Sequence, residues 1–169
     1  DTLDRAACEA MDAADPLAPL RDRFDLPEGM LYLDGNSLGA MPKDAAARAH
    51  QVVTREWGSD LIKSWNSAGW FDLPVRLGDK LAPLVGAGPG EVVICDSTSQ
   101  NLFKVLSAAV ALRPDRHVLI LEGSNFPTNN YIAEGVAAAT GGRVKVRLCE
   151  KDEIAGAIDD DTIAVAITH

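Results

Sequence analysis

The chain is short of cysteine, aromatic rings, basic charge and long apolar runs, and each shortage removes a class of function. Its three cysteines, Cys8, Cys95 and Cys149, are odd in number and include no CxxC spacing, so neither a disulfide framework nor a zinc site is indicated. They read as reduced thiols, with Cys95 a small core residue. Only 16 lysines and arginines stand against 25 acidic residues, a formal charge of −9. With no basic cluster to offset it, that charge repels polyanions, so neither nucleic acid nor an anionic membrane is an expected partner. Apolar stretches such as 108–112 and 118–121 fall far short of the roughly 20 residues of a membrane span. The acidic segment 1–15 lacks a signal-peptide apolar region, and a soluble cytoplasmic protein is the expectation. His50, His117 and His169 share no ligand spacing, so no metal site is expected. The run Asp159-Asp160-Asp161 reads as a solvated turn.

What is present is ample apolar content, 47% of 169 residues, enough for about one domain with a sizeable core. Residues 3–14 predict a helix closed by Pro16 and Pro19, with a short turn at 21–24. Met30-Leu31-Tyr32-Leu33 predicts a short strand. The turn that follows, Asp34-Gly35-Asn36-Ser37-Leu38-Gly39, has two glycines suited to positive φ or close backbone approach. Pro42 is expected to start a helix over 43–57, where Ala49, Val52, Val53 and Trp57 share one face that should be core. Residues 58–71 have no clean period but hold Trp65, Trp70 and Phe71 out of nine aromatics, which suggests a covering loop or an interface. A helical pattern resumes over 73–85, distorted by Pro83, and 86–90 form a turn.

From there the pattern alternates: strand 92–95, helix 99–112, strand 117–121, helix 128–140, strand 143–148, short helix 150–158 and strand 163–168. Continuous apolar strands such as Val118-Leu119-Ile120-Leu121 imply burial on both faces, and intervening helices favour a parallel sheet with right-handed crossovers. The expected fold class is therefore α/β, a mainly parallel sheet preceded by an N-terminal helical arm.

Ligands of open parallel sheets bind outside the carboxyl ends of the strands. Three segments meet that condition: Ser97-Thr98-Ser99, Gly123-Ser124-Asn125-Phe126-Pro127-Thr128-Asn129, and Thr168-His169. Each also has a plain structural reading, with Ser99 and Thr128 as helix N-caps, Phe126 as a hydrophobic staple and Thr168 as a β-branched strand residue. Together they supply a helix N-terminus and hydroxyls for a phosphate, an aromatic face for a flat ring, and further polar contacts.

Three runs make this specific: Leu31-Tyr32-Leu33-Asp34-Gly35-Asn36-Ser37-Leu38-Gly39, Asp96-Ser97-Thr98-Ser99-Gln100-Asn101-Leu102 and Ser124-Asn125-Phe126-Pro127-Thr128. In order and spacing they resemble the N-terminal part of kynureninases, fold-type I enzymes dependent on pyridoxal 5′-phosphate (PLP). The resemblance implies an incomplete PLP-dependent transferase-type large domain over residues 43–169, preceded by an arm and substrate-side loop over 1–42. It implies PLP phosphate binding by Thr98 and Ser99, ring stacking by Phe126, a lining formed by Pro127, Thr128 and Asn129, and Thr168 beside the cofactor. Asn36 and Ser37 would meet the substrate, L-kynurenine or 3-hydroxykynurenine, which is hydrolysed to anthranilate, or its hydroxylated form, and L-alanine. A cytoplasmic homodimer is implied as well.

Two departures accompany the resemblance. Asn129 stands where the family usually has aspartate, keeping an acceptor but not the charge. Lys43, Lys63, Lys80, Lys104, Lys145 and Lys151 all fall outside the family's lysine motif and read as solvated surface charges. The Schiff-base lysine, its neighbouring tyrosine and the aspartate facing the pyridine nitrogen are expected beyond His169, so these residues alone should be inactive. Two alternatives stay open: another fold-type I enzyme, such as a cysteine desulfurase or class V aminotransferase, or a noncatalytic fragment that folds on a partner chain.

Overall fold

The computed structural model describes residues 3–168. The chain divides into two compact units, Asp1–Leu73 and Pro74–His169.

The first unit is mostly short helices and loop. Helix α1, Arg5–Ala14, starts at Asp4, whose carboxylate accepts the Ala7 N–H at 2.8 Å, and it stops two residues before Pro16. A 3₁₀ stretch, Ala18–Arg23, leads into an antiparallel ladder between β1, Phe24–Asp25, and β2, Met41–Pro42. The strand expected at 30–33 is irregular. Its pairing is replaced by that ladder at the two ends of the loop, and the Tyr32 hydroxyl donates to the Leu38 carbonyl at 2.5 Å. Gly35 and Gly39 adopt no positive φ, and nothing among the described residues lies within 4 Å of a Cβ added to either.

Helix α2 spans Ala45–Gln51 and passes into a π-helical turn, Val52–Trp57. Pro42 sits in β2, so the helix begins later than expected. The expected core face is also overturned, because Val53 and Trp57 are exposed whereas Glu56 is buried. The wider π turn rotates the side chains relative to a regular helix, and the buried carboxylate is compensated on the spot. Arg48 pairs with it, the Trp70 indole N–H donates to its Oε2 at 2.7 Å, and the Ser64 hydroxyl donates to the Glu56 carbonyl. Ser64 belongs to the one-turn helix α3, Ser64–Ser67. Trp65 and Trp70 meet edge to face at 6.4 Å between centroids.

The second unit holds the sheet. Helix α4, Leu73–Leu81, ends in a 3₁₀ turn, Ala82–Val85, that accommodates Pro83. Then follow α5 (Thr98–Leu112), β3 (Val118–Glu122), α6 (Pro127–Ala139), β4 (Lys145–Cys149), α7 (Ile154–Ala157) and β5 (Thr162–Ala166). The three strands are parallel in the order β4-β3-β5. Central β3 is buried from Val118 to Leu121 and β4 is mostly exposed, as suits an edge. Leu119, Leu121 and Ile163 pack with Leu106 and Val110 of α5 and Ala133, Val136 and Ala137 of α6 to form the core.

Residues 92–95, expected as a strand, have no ladder partner among the described residues. Their Ile94 N–H bonds instead to the Pro74 carbonyl at 3.1 Å. Cys95, expected in the core, is exposed for the same reason: no neighbouring strand covers it. The Asp159–Asp161 turn is also more than solvated charge, since Asp159 binds Thr162 and Arg147, and Asp161 lies 2.6 Å from the His117 ring. No described helix is long and apolar enough to cross a membrane.

Candidate functional site at the carboxyl edge of the sheet

Chain direction places the site. Helix α5 ends at Leu112 and a five-residue link feeds the start of β3, so the N-terminus of α5 lies at the opposite, carboxyl edge of the sheet. Helix α6 begins after a four-residue turn from β3, and Thr168 lies two residues past β5, at that same edge.

At α5 the N-cap is Ser97, not Ser99. Its hydroxyl accepts the Gln100 N–H at 3.4 Å, and the Gln100 side chain accepts the Ser97 N–H at 3.2 Å, a reciprocal capping box. The helix thus supplies its own cap, and Thr98 and Ser99 fall inside the first turn. Their N–H groups and hydroxyls make no hydrogen bond among the described residues. These are the donors that an anion at a helix N-terminus uses.

The approach is held by two side chains of the helix itself. Asn101 donates to the Cys95 carbonyl at 2.8 Å, and Lys104 pairs with Asp96, a non-glycine residue at φ 43°. Lys104, expected as a free surface charge, therefore offsets the one carboxylate next to the helix N-terminus. The hydrogen bond to Asp96 holds its ammonium above the ordinary lysine value. Asp96, Ser99, Gln100, Phe103, Lys104 and Ile132 line a cleft of about 390 Å³ between the N-terminal part of α5 and Ile132 of α6.

The second group is built on Asn125, which sequence reading placed in the loop without a role. Residues 123–126 leave β3 in a turn in which the Asn125 N–H reaches the Glu122 carbonyl at 3.1 Å. Phe126, rather than Thr128, caps α6, and Pro127 opens the helix where no N–H is needed. The Phe126 ring is no staple, being 69% exposed. The Asn125 side-chain oxygen accepts the Phe126 N–H at 2.7 Å, the Asn129 amide at 3.0 Å and the Thr168 hydroxyl at 2.5 Å. Phe126, Asn129 and Thr168 are thereby brought together, whereas no hydrogen bond joins them to Thr98 or Ser99. Thr168 also edges an apolar cleft of about 430 Å³ with Glu122, Val165, Ile154 and Ile158. His169 lies outside the described residues.

In the first unit, the Ser37 hydroxyl donates to Asp34 at 2.8 Å, and the Ser37 N–H bonds to the Asp34 carbonyl at 3.2 Å. The turn carrying Asn36 and Ser37 is thus closed on itself by Asp34. Neighbouring Leu31, Leu33 and Leu38 are strongly exposed.

The chain is similar to known proteins over almost all of its length. Over 170 aligned residues the chain is 56% identical to kynureninase from Pseudomonas fluorescens, covering 98% of this chain and 41% of that protein. It is 54% identical over 165 residues to kynureninase from Burkholderia pseudomallei (strain K96243) and 53% identical to that of Burkholderia mallei (strain ATCC 23344). The chain corresponds to the N-terminal portion of kynureninases. It spans about two-fifths of the length of these curated kynureninases, and no protein-family model matches it.

Proposed function

We propose that the protein of which these residues form part is a kynureninase, a PLP-dependent hydrolase that cleaves L-kynurenine or its 3-hydroxy form to an anthranilate and L-alanine. The observation that carries the reading is the first turn of α5. A 15-residue helix that caps itself through Ser97 and Gln100 keeps two adjacent N–H groups and two hydroxyls, those of Thr98 and Ser99, without a partner among the described residues. Lys104 removes the local negative charge of Asp96. That donor set suits a dianionic phosphate, and the exposed Phe126 ring at the same sheet edge suits a flat pyridine.

In this reading Thr98 and Ser99 hold the cofactor phosphate and Phe126 lies against its ring, with Pro127, Thr128, Asn129 and Thr168 around it. Asn36 and Ser37 contact the substrate. Bound PLP supplies the electron sink that lets the substrate's carbon–carbon bond break. The chain's own contribution is anchoring and orientation: a charged end fixed at a helix N-terminus and a ring held against an aromatic plane set the tilt of the reacting centre. No lysine among the six here matches the family motif, so we assign the cofactor-bearing lysine to residues outside these 169, and cleavage by these residues alone is not expected. Cytoplasmic location and a homodimer complete the proposal, the latter supported by exposed Trp57, Ile62 and Phe71 in the first unit.

The test is anthranilate release from L-kynurenine by the complete protein with PLP added. Sulfur release from cysteine without anthranilate would replace this reading with a cysteine desulfurase. PLP binding that survives unchanged in a Thr98→Val, Ser99→Ala double variant would remove the phosphate assignment.

A further inference from the structure

We propose that Asn125 is a positioning residue, a single acceptor atom that sets the relative placement of Phe126, Asn129 and Thr168 before any ligand arrives. The inference rests on the PLP reading above and deepens it. Asn125 is only 8% exposed. Its side-chain orientation is decided by chemistry, since the atom 2.7 Å from the Phe126 backbone N–H must be oxygen. The same oxygen takes the Asn129 amide and the Thr168 hydroxyl, the latter from 43 residues further along the chain. Three donors converge on one carbonyl oxygen, which has two lone pairs and so no capacity left for a further donor.

Three consequences follow for the site. The loop after β3 and the segment after β5 are pinned to each other at the point where both face the carboxyl edge, so the backbone of Phe126 and the hydroxyl of Thr168 keep a set separation. The Thr168 hydrogen is committed to Asn125, so toward a ligand Thr168 offers lone pairs and acts as an acceptor. Asn129 also has a defined use for its amide: a carboxylate there could not donate to Asn125. The Asn125 nitrogen makes no hydrogen bond among the described residues, which separates the two halves of the amide experimentally.

The experiment uses the complete protein and compares wild type with Asn125→Leu, which removes the acceptor, and Asn125→Asp, which keeps the acceptor while exchanging the amide donor for a second, charged oxygen. PLP affinity by spectral titration, the visible circular dichroism of bound PLP and hydrogen exchange at the Phe126 amide are measured. Asn125→Leu is expected to weaken PLP binding about tenfold or more, alter the dichroic band and speed Phe126 exchange about tenfold, and Asn125→Asp, whose oxygen still accepts the Phe126 N–H, is expected to keep that exchange within about threefold of wild type. If Asn125→Leu does not fold, Thr168→Val breaks the same junction from the other strand and should speed exchange at Phe126, an amide Thr168 does not touch, whereas Thr168→Ser should not. Wild type that binds PLP, with variants equal to it in affinity and dichroism, overturns the inference alone. Asn125→Leu that loses only unfolding stability overturns it too. Wild type that fails to bind PLP overturns the cofactor reading, and the inference with it.

Discussion

Gly78 and Gly135 are both helical glycines, and the same change to alanine should move stability in opposite directions. A Cβ at Gly78 of α4 would lie 1.9 Å from the Val92 carbonyl oxygen, 2.6 Å from its carbon and 3.1 Å from the Val93 nitrogen. All three are backbone atoms, so no rotamer change relieves the contact. Reaching even 3.0 Å requires the two segments to part by about 1.1 Å. That movement is opposed on both sides, because the Ile94 N–H bonds to the Pro74 carbonyl at 3.1 Å and the Gly90 N–H to Asp79 at 2.7 Å. Overpacking of this kind costs roughly 1–3 kcal/mol, and each strained hydrogen bond adds about 0.5–1.5. The gain from replacing a helical glycine is only about 1 kcal/mol, so strain wins and Gly78→Ala should lose at least about 1 kcal/mol. At Gly135 of α6 nothing among the described residues, apart from its chain neighbours and the helix's own nearby backbone, lies within 4 Å of the added carbon, so only the helix gain remains, about 0.5–1 kcal/mol of stabilisation. Urea midpoints at constant slope measure both. Residues 92–95 run directly into Ser97 and Thr98, so Gly78→Ala should also weaken PLP binding. A Gly78→Ala midpoint equal to or above wild type would refute the close-approach argument.

Three further outcomes are expected. Ser97→Ala removes the capping box of α5, which should cost about 1 kcal/mol and speed amide exchange at Gln100 and Asn101, read by mass spectrometry or NMR. Phe126→Leu should leave the unfolding midpoint within about 0.5 kcal/mol because the ring is exposed, while PLP titration shows affinity reduced by about 0.5–1.5 kcal/mol, roughly two- to twelvefold. The Glu56 carboxyl is held below its ordinary value first by the Arg48 hydrogen bond and then by that of Trp70. A depressed folded-state value contributes stability that is present above the unfolded value and disappears as pH falls through the folded one. Unfolding midpoints should therefore drop with acidification through the carboxylate range, and Glu56→Gln should flatten that part of the profile. An unchanged slope in the variant would show that other carboxylates carry the effect, Asp159 first, which is lowered by its bond from Thr162.

Local pattern was enough for the βα repeats. An apolar run of four residues at β3, a hydroxyl-rich turn before α5 and Pro127 at the head of α6 each act within a few residues of themselves. Their periodicity and capping chemistry therefore carried over from sequence to structure with shifts of one or two positions. Where the outcome depended on distant partners, sequence reading went astray. Residues 92–95 have the composition of a buried strand, but a ladder needs a neighbour and the described chain provides none, so the segment is held by Pro74 and Cys95 stays exposed. The face of 43–57 was read from a regular helical period, and the π turn at Val52–Trp57 broke that period, turning Glu56 inward toward Arg48 and Trp70. The lysine at 104 read as surface charge because nothing in the sequence tells that Asp96, eight residues earlier, folds back onto it.

The order of residues determined the class of fold, the edge of the sheet where a ligand would sit and the motifs that tie the chain to kynureninases, because apolar period, chain direction and short turn chemistry are local properties. Only the tertiary structure decided which polar atoms remain available there. Ser97 rather than Ser99 caps α5, the Thr168 hydroxyl hydrogen points away to Asn125, and one buried oxygen joins two segments 43 residues apart. Hydrogen-bond saturation is a property of the packed neighbourhood, and linear sequence does not record which donor reaches an acceptor first.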